Sequence, residues 1–233
     1  MNFHSDVAQT SGPVLPGVST NLHRLGRKYV AQVVKRDAQM IELQGWLQAT
    51  ITSTDGDMPN NSNPLAAHAR LQFADMEFQR LYRFGFTFML DADWQWGGDE
   101  TNLMDFHSRP DRGDIARQGP VNLILAGDKL VNQVFTDPDR ITSEQSEPVV
   151  RHEFQAYRGV PMRLEWLYRP GYADVHRPFY ALFVDGERVV TYSEPNAFND
   201  HLGPYPMAGL YQWSWDGAPE RRAYFTDFVY EAR

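Results

Sequence analysis

The sequence predicts an all-β protein built as a sandwich or a barrel of antiparallel strands. Short segments alternate between apolar and polar residues with a period of two, which is typical of half-buried strands. Turn signals separate these segments, and two of the turns have the length of a tight hairpin. The composition agrees, because 13% of the residues are aromatic and aromatic side chains favour pleated strands.

The first residues predict an extended arm. Residues 1–24 contain two Gly/Pro pairs among scattered Ser, Thr and Asn, without apolar periodicity. We therefore assign residues 1–28 to an N-terminal arm that could contact other subunits of a larger assembly. Residues 29–233 form one predicted domain, a length that all-β sandwiches reach undivided.

The segment that follows the arm has a mixed pattern. Its apolar residues between Tyr29 and Gln48 suit either one helix or two short strands, and residues 52–64 predict a loop. A strand is also expected from Thr101. The clearest strand signals come from alternation in residues 82–90, 120–125, 130–135, 162–168, 179–184, 187–192 and 222–230.

Two hairpin turns are predicted inside this series. Gly127-Asp128 separates two apolar segments, and Asp185-Gly186 supplies the positive φ angles that a two-residue turn requires. Many short strands with regular turns indicate a sandwich or a barrel.

The charge and the cysteine content exclude several classes of function. The formal net charge is −8, from 30 acidic and 22 basic side chains, which disfavours a nucleic-acid surface. A polyanionic glycan would likewise need a local basic surface. The chain has no cysteine, so disulfides and thiolate metal sites are excluded.

Targeting signals are also missing from the sequence. No run of about 18 apolar residues occurs, so no membrane partner is expected. The N-terminus has no basic region followed by an apolar stretch, which predicts cytoplasmic synthesis without a signal peptide.

Three clusters of polar and aromatic residues could carry chemistry. The first is Arg70-Leu71-Gln72, and the second contains Asp105 and His107, which alternation places on one face of a strand. In the third, alternation would place these residues on one face: Tyr205, Met207, Gly209, Tyr211, Trp213 and Trp215.

In order and spacing, these clusters resemble the jelly-roll polysaccharide lyases, which include alginate lyases, glucuronan lyases and heparin-lyase-like proteins. That family carries Arg-x-Glu, then Gln-x-His, then Tyr-x-Lys-x-Gly-x-Tyr. The likeness covers roughly residues 66–233, including residues 86–94 and the hairpin at Val184. It implies a concanavalin-like β-jelly-roll sandwich of two antiparallel sheets, with a polysaccharide as partner.

The resemblance also implies a reaction, β-elimination at a uronic acid. A neutraliser binds the sugar carboxylate, a base removes the C5 proton, and an acid protonates the leaving oxygen. Carried over by position, His107 is the base, Tyr211 the acid and Arg70 a further catalytic residue. The implied substrate contacts are Asp105, Tyr205, Trp213 and Gln72.

Three positions depart from the family pattern. The family Gln falls on Asp105, the family Glu on Gln72, and the family Lys on Met207. An ionised Asp105 would repel a uronate carboxylate, by roughly 1 kcal/mol in water at 4 Å and by more in a partly buried site. We therefore expect a glycan-binding, lyase-like protein with weak or lost β-elimination activity.

Two alternatives remain open at the level of sequence. One is an active polyuronate lyase that uses His107 and Tyr211. The other is a virion structural or decoration protein of a phage that attaches through residues 1–28. A purely structural role for the histidine and the tyrosines is also open. No metal or cofactor is expected, because the remaining histidines lack ligand spacing.

Overall fold

The computed structural model describes residues 29–34, 39–43, 46–52, 67–215, 218 and 220–233. The predicted arm, residues 1–28, and the predicted loop after Thr52 lie outside the described residues. The proposed contacts of the arm with other subunits therefore stay a prediction.

Two antiparallel sheets of seven strands each form the described part of the chain. Sheet A has the order β1-β4-β13-β6-β7-β8-β9, and sheet B has the order β12-β11-β10-β5-β14-β3-β2. The strands are β1 Tyr29–Val34, β2 Gln39–Leu43, β3 Trp46–Thr52, β4 Ala67–Phe73, β5 Tyr82–Leu90, β6 Thr101–His107, β7 Val121–Ala126, β8 Lys129–Val134, β9 Val150–Gln155, β10 Met162–Arg169, β11 Phe179–Val184, β12 Glu187–Tyr192, β13 Tyr205–Gln212 and β14 Glu220–Ala232.

The predicted jelly-roll sandwich is confirmed, and it begins earlier than the clear strand signals. The segment between Tyr29 and Gln48, open between helix and strand, contains β1, β2 and the start of β3. A three-residue 3₁₀ turn, Asp174–His176, interrupts the connection between β10 and β11. Within the described ranges, no helix is long and apolar enough to cross a membrane.

Both predicted hairpins are confirmed. Strands β7 and β8 pair on either side of Gly127, whose φ is +58°. Strands β11 and β12 pair around Asp185 and Gly186, whose φ angles are +50° and +85°. Positive φ at both central residues is the requirement of a type I′ turn.

An aromatic layer joins the two sheets. The ring of Phe106 on sheet A stacks on Tyr168 of sheet B at a centroid distance of 4.7 Å and contacts Trp166 at 6.3 Å. Phe84 on sheet B lies 5.7 Å from Phe106. These rings are fully buried, and a buried aromatic side chain stabilises a core by several kcal/mol, on the order of 3–5 when truncated to Ala.

A chain of hydrogen bonds crosses this core. The indole Nε1 of Trp166 donates to the hydroxyl of Tyr180 at 3.1 Å, and that hydroxyl donates to Oδ1 of Asn132 on sheet A. Nδ2 of Asn132 donates to the Asn122 carbonyl on the neighbouring strand at 3.1 Å. All four residues are buried, so these bonds satisfy polar atoms that water does not reach.

The Tyr180→Phe substitution tests this chain. It leaves the Trp166 N–H and Asn132 Oδ1 without the hydroxyl, so the free energy of unfolding should fall by about 1–3 kcal/mol in urea titrations. The matched control is Tyr157→Phe, at a tyrosine that is 54% exposed, where a change below about 0.5 kcal/mol is expected. Equal effects at both positions would contradict a stabilising role for the chain.

Candidate functional site

Three adjacent strands bring the predicted site residues together, although their clusters lie far apart in sequence. Strand β13 lies between β4 and β6 in sheet A. In the register, Met207 of β13 faces Gln72 on one side and Asp105 on the other, and Tyr205 faces His107. The strand expected over the third cluster is therefore confirmed for residues 205–212.

The site residues point away from the core because their neighbours point into it. On β4, Ala69 and Leu71 belong to the core, so Arg70 and Gln72 lie on the opposite face. Phe106 imposes the same arrangement on β6, where it alternates with Asp105 and His107. We call the face of β4, β13 and β6 that is turned away from sheet B the site face.

An ion pair lies at the centre of the site face. Nη1 of Arg70 donates to Oδ2 of Asp105 at 2.9 Å, and each side chain is only 6% exposed. The pair spans β13, which separates the two strands that carry it. The charge of Arg70 is therefore compensated by Asp105, and Arg70 is not a free cation on the site face.

Gly209 lets the backbone of β13 lie close to β4 beside this pair. It faces Arg70 in the register, and a Cβ atom there would lie 2.7 Å from the Arg70 Cα and 2.2 Å from the Ala69 carbonyl oxygen. Its φ of +141° is a conformation that glycine tolerates and other residues avoid. The register of β13 against β6 shifts at this point, between Ala208 and Tyr211.

Asp105 carries its negative charge in this environment. Burial alone would raise the pKa of Asp105, but the charge of Arg70 and the nearby His107 ring hold that pKa below its ordinary value. Nδ1 of His107 lies 3.5 Å from Oδ2 of Asp105. The carboxylate and the guanidinium therefore neutralise each other at neutral pH.

Tyrosine rings border the ion pair. The Arg70 guanidinium lies 4.8 Å from the centroid of the Tyr211 ring, and the rings of Tyr205 and His107 are 5.3 Å apart. Burial raises the pKa of Tyr205 to about 12 and also raises the pKa of Tyr211. Both phenols therefore hold their protons at neutral pH and can serve as hydrogen-bond donors.

Two polar atoms of the ion pair are buried without a hydrogen-bond partner among the described residues. They are Nε of Arg70 and Oδ1 of Asp105. Leaving a buried polar atom unpaired costs about 1–3 kcal/mol, so native proteins keep few of them. Two such atoms in one ion pair call for an explanation, and a functional role is one of those that apply.

The remaining predicted residues occupy different places. Gln72 is partly buried on the site face opposite Met207, and Trp213 lies just beyond β13 with its ring 5.7 Å from Tyr211. The expectation that Trp215 shares a face with Trp213 is wrong, because Trp215 packs against the core. The strand ends at Gln212, so alternation does not extend to Trp215.

Sequence reasoning missed two residues of this site. The ring of His68 lies edge-on to Tyr211 at 5.9 Å, and its alternation with Arg70 could have revealed it. The Arg109 guanidinium lies 4.5 Å from the centroid of the Tyr205 ring and pairs with Asp75 at 2.8 Å. Arg109 follows the end of β6, so no strand periodicity indicates where it points.

Solved structures of polysaccharide lyases share this fold. A glucuronan lyase from the fungus Trichoderma reesei aligns with a TM-score of 0.67 and 15% identity, over 88% of this chain and 87% of its own. An alginate lyase from Pseudomonas aeruginosa gives 0.64 and 12%, over 88% and 98%. A family 7 alginate lyase bound to its product gives 0.63 and 12%, over 88% and 95%.

The likeness is one of structure. No protein-family model and no curated protein sequence matches this chain. The chain therefore has the jelly-roll fold of these polysaccharide lyases, as the sequence motifs predicted, and the chemistry of its site face has to be argued from its own residues.

A double-mutant cycle tests the ion pair at the centre of the site face. Arg70→Met and Asp105→Asn should each lower the free energy of unfolding by about 3–5 kcal/mol, because each leaves a buried charge without its partner. The double variant should lose much less than the sum of the two. Urea unfolding followed by circular dichroism measures all three.

The control cycle uses Arg109→Met and Asp75→Asn. The side chains of that pair are 35% and 39% exposed, so their coupling should stay below about 1 kcal/mol. A coupling energy that is equally small between Arg70 and Asp105 would contradict the stabilisation of each charge by the other.

Proposed function

We propose that this protein binds a polysaccharide on its site face and has weak or lost β-elimination activity. The Arg70–Asp105 ion pair is the observation that carries the proposal. By the motif resemblance alone, Arg70 and Asp105 fall on family positions that act on the uronic acid.

Elimination at a uronic acid needs a free positive charge or a strong donor for the sugar carboxylate. Arg70 is already paired with Asp105, and Arg109 with Asp75. Met207 is uncharged where the resembling lyases carry Lys. A uronate that approached Arg70 would meet the Asp105 carboxylate at nearly the same distance, so attraction and repulsion would largely cancel.

Moving Arg70 onto the sugar would not solve this problem. Asp105 would then be left buried with its charge uncompensated, a change that costs about 3–5 kcal/mol when one partner of a buried pair is removed. Binding of the carboxylate would have to exceed that cost. An anionic sugar is therefore a poor ligand for the site face.

A glycan with uncharged, hydroxyl-rich residues fits the same surface better. Tyr205, Tyr211 and Trp213 are partly exposed rings, and flat rings with a polar tip suit a sugar that has apolar C–H groups and hydroxyls. His107, whose side chain is 36% exposed, adds a polar group at the edge. Such ligands need hydrogen bonds and stacking, and they need no neutraliser.

The alternative of an active polyuronate lyase keeps the same acid and base. Tyr211 holds its proton, as an acid must, and His107 lies on the adjacent strand. That alternative requires the carboxylate of the sugar to be neutralised in spite of the negative charge of Asp105. The two functions therefore make opposite predictions about the binding of uronates.

Binding is tested on a glycan array and by calorimetry with the best ligand. The wild-type protein should bind uncharged glycans, and Tyr211→Ala should weaken the affinity about tenfold, through loss of a stacking ring worth about 1–3 kcal/mol. Tyr157→Ala, at an exposed tyrosine of the β9–β10 connection, should leave the affinity unchanged. Retention of alginate or glucuronan alone, with an ultraviolet signal from unsaturated uronate, would overturn the proposal.

Restoring the family residue tests the charge argument. Asp105→Gln removes the competing carboxylate, so the affinity for oligouronates should rise about tenfold or more. The rate at which the ultraviolet absorbance of unsaturated uronate increases, if elimination occurs, should rise as well. Glu187→Gln changes the net charge equally at an exposed position of sheet B and should change neither. No gain in a folded Asp105→Gln variant would mean that Asp105 does not limit uronate binding.

A further inference from the structure

One cavity lies outside the site face. Its volume is about 440 Å³, within the range of ligand pockets, and its lining residues are Gln79, Arg169, Val175, His176 and Arg177. Arg169 is the last residue of β10, and its neighbour Tyr168 is in the core. The cavity therefore lies beside the end of β10, where the β4–β5 and β10–β11 connections meet, and none of its lining residues belongs to the site face.

Two arginines of this cavity have no carboxylate partner among the described residues. Nη1 of Arg169 donates to the Arg177 carbonyl at 3.1 Å, and neither guanidinium forms an ion pair there. By contrast, Arg70 and Arg109 of the site face are each paired with an aspartate. In a chain whose net charge is −8, this is a local surplus of positive charge.

A buried histidine points to the same site. His176 is 9% exposed, and its Nδ1 has no hydrogen-bond partner within the described part of the chain. The ring is held by Tyr172, edge-on at 4.3 Å, and by Phe78, stacked at 6.2 Å. The ring of His176 therefore forms a fixed, buried wall of the cavity.

The backbone around the cavity is strained. Gln79 and Arg177 have φ angles of +67° and +51°, and they are two of the four non-glycine residues with positive φ in the described part of the chain. Such conformations cost about 1 kcal/mol or more and cluster at binding sites. At Arg177 this conformation directs the carbonyl toward Arg169 and closes the 3₁₀ turn, with its N–H donating to the Asp174 carbonyl at 2.8 Å.

We propose that this cavity is a second ligand site, for an oxyanion: a sulfate, phosphate or carboxylate group. Arginine guanidinium groups present several N–H donors in a planar fork that matches such groups. The ring of His176 lines the same cavity and would report on its occupancy. Val175, which is 79% exposed, borders the cavity and would contact an apolar part of the molecule that carries the anion. This site does not depend on glycan binding at the site face.

Titration of the full chain with sodium sulfate, sodium phosphate and sodium acetate tests the proposal. At constant ionic strength, at least one anion should bind saturably by calorimetry and shift the ring NMR signals of His176. Arg169→Gln and Arg177→Asn should each weaken that binding about fivefold or more, since each removes a charged donor. Asn is chosen at position 177 because it tolerates positive φ.

The control is Arg188→Gln, which removes the same charge from an exposed position of β12 and should leave the affinity unchanged. Thermal unfolding identifies which variants are folded. If only one of the two arginine variants folds, its anion affinity alone is compared with that of Arg188→Gln.

The source of the anion is tested with an oligosaccharide. Tighter binding of a sulfated oligosaccharide than of its unsulfated form would support a glycan-borne oxyanion as the ligand. Equal binding would support a free ion. Saturation by none of the three anions, or equal affinity in the folded arginine variants and Arg188→Gln, overturns the proposal.

Discussion

The aromatic layer between the two sheets is the constraint on which the rest of the molecule depends. Phe106 of sheet A packs against Trp166 and Tyr168 of sheet B, and this contact fixes which way β6 faces. Because side chains alternate along a strand, Asp105 and His107 must then point away from the core. A register shift of one residue in β6 would turn Phe106 outward and turn Asp105 and His107 into the core. The packing of the core therefore determines which residues lie on the site face.

On that face, one ion pair separates this chain from the chemistry that its motifs suggest. Arginine, histidine and tyrosine are all present and converge on three adjacent strands, but Asp105 neutralises the arginine. Gly209 supports the arrangement, because any side chain there would collide with β4. A shared fold thus leaves the chemistry of the site to be decided by its own side chains and their charges.

The sequence predicted the parts of this structure that local pattern controls. Alternating strands and the Asp185-Gly186 turn follow from period-two burial and from positive φ, and both are local properties. Strand β9 was missed because it is an edge strand whose residues are all partly or fully exposed, so its apolar alternation is weak. The Arg70–Asp105 contact could not be foreseen either. It depends on the register of three strands that are distant in the chain, and on a glycine between them.

The properties of the site face depend on an ionised Asp105 that cancels the charge of Arg70. The most direct measurement is the pH titration of the Asp105 carboxyl carbon by NMR in the wild-type protein and in Arg70→Met. We expect a wild-type pKa of Asp105 below the ordinary range of aspartate, and a higher pKa once the guanidinium is removed. A wild-type Asp105 that stays protonated near neutral pH, with a pKa indifferent to Arg70, would contradict it, because Arg70 would then be free to bind a uronate.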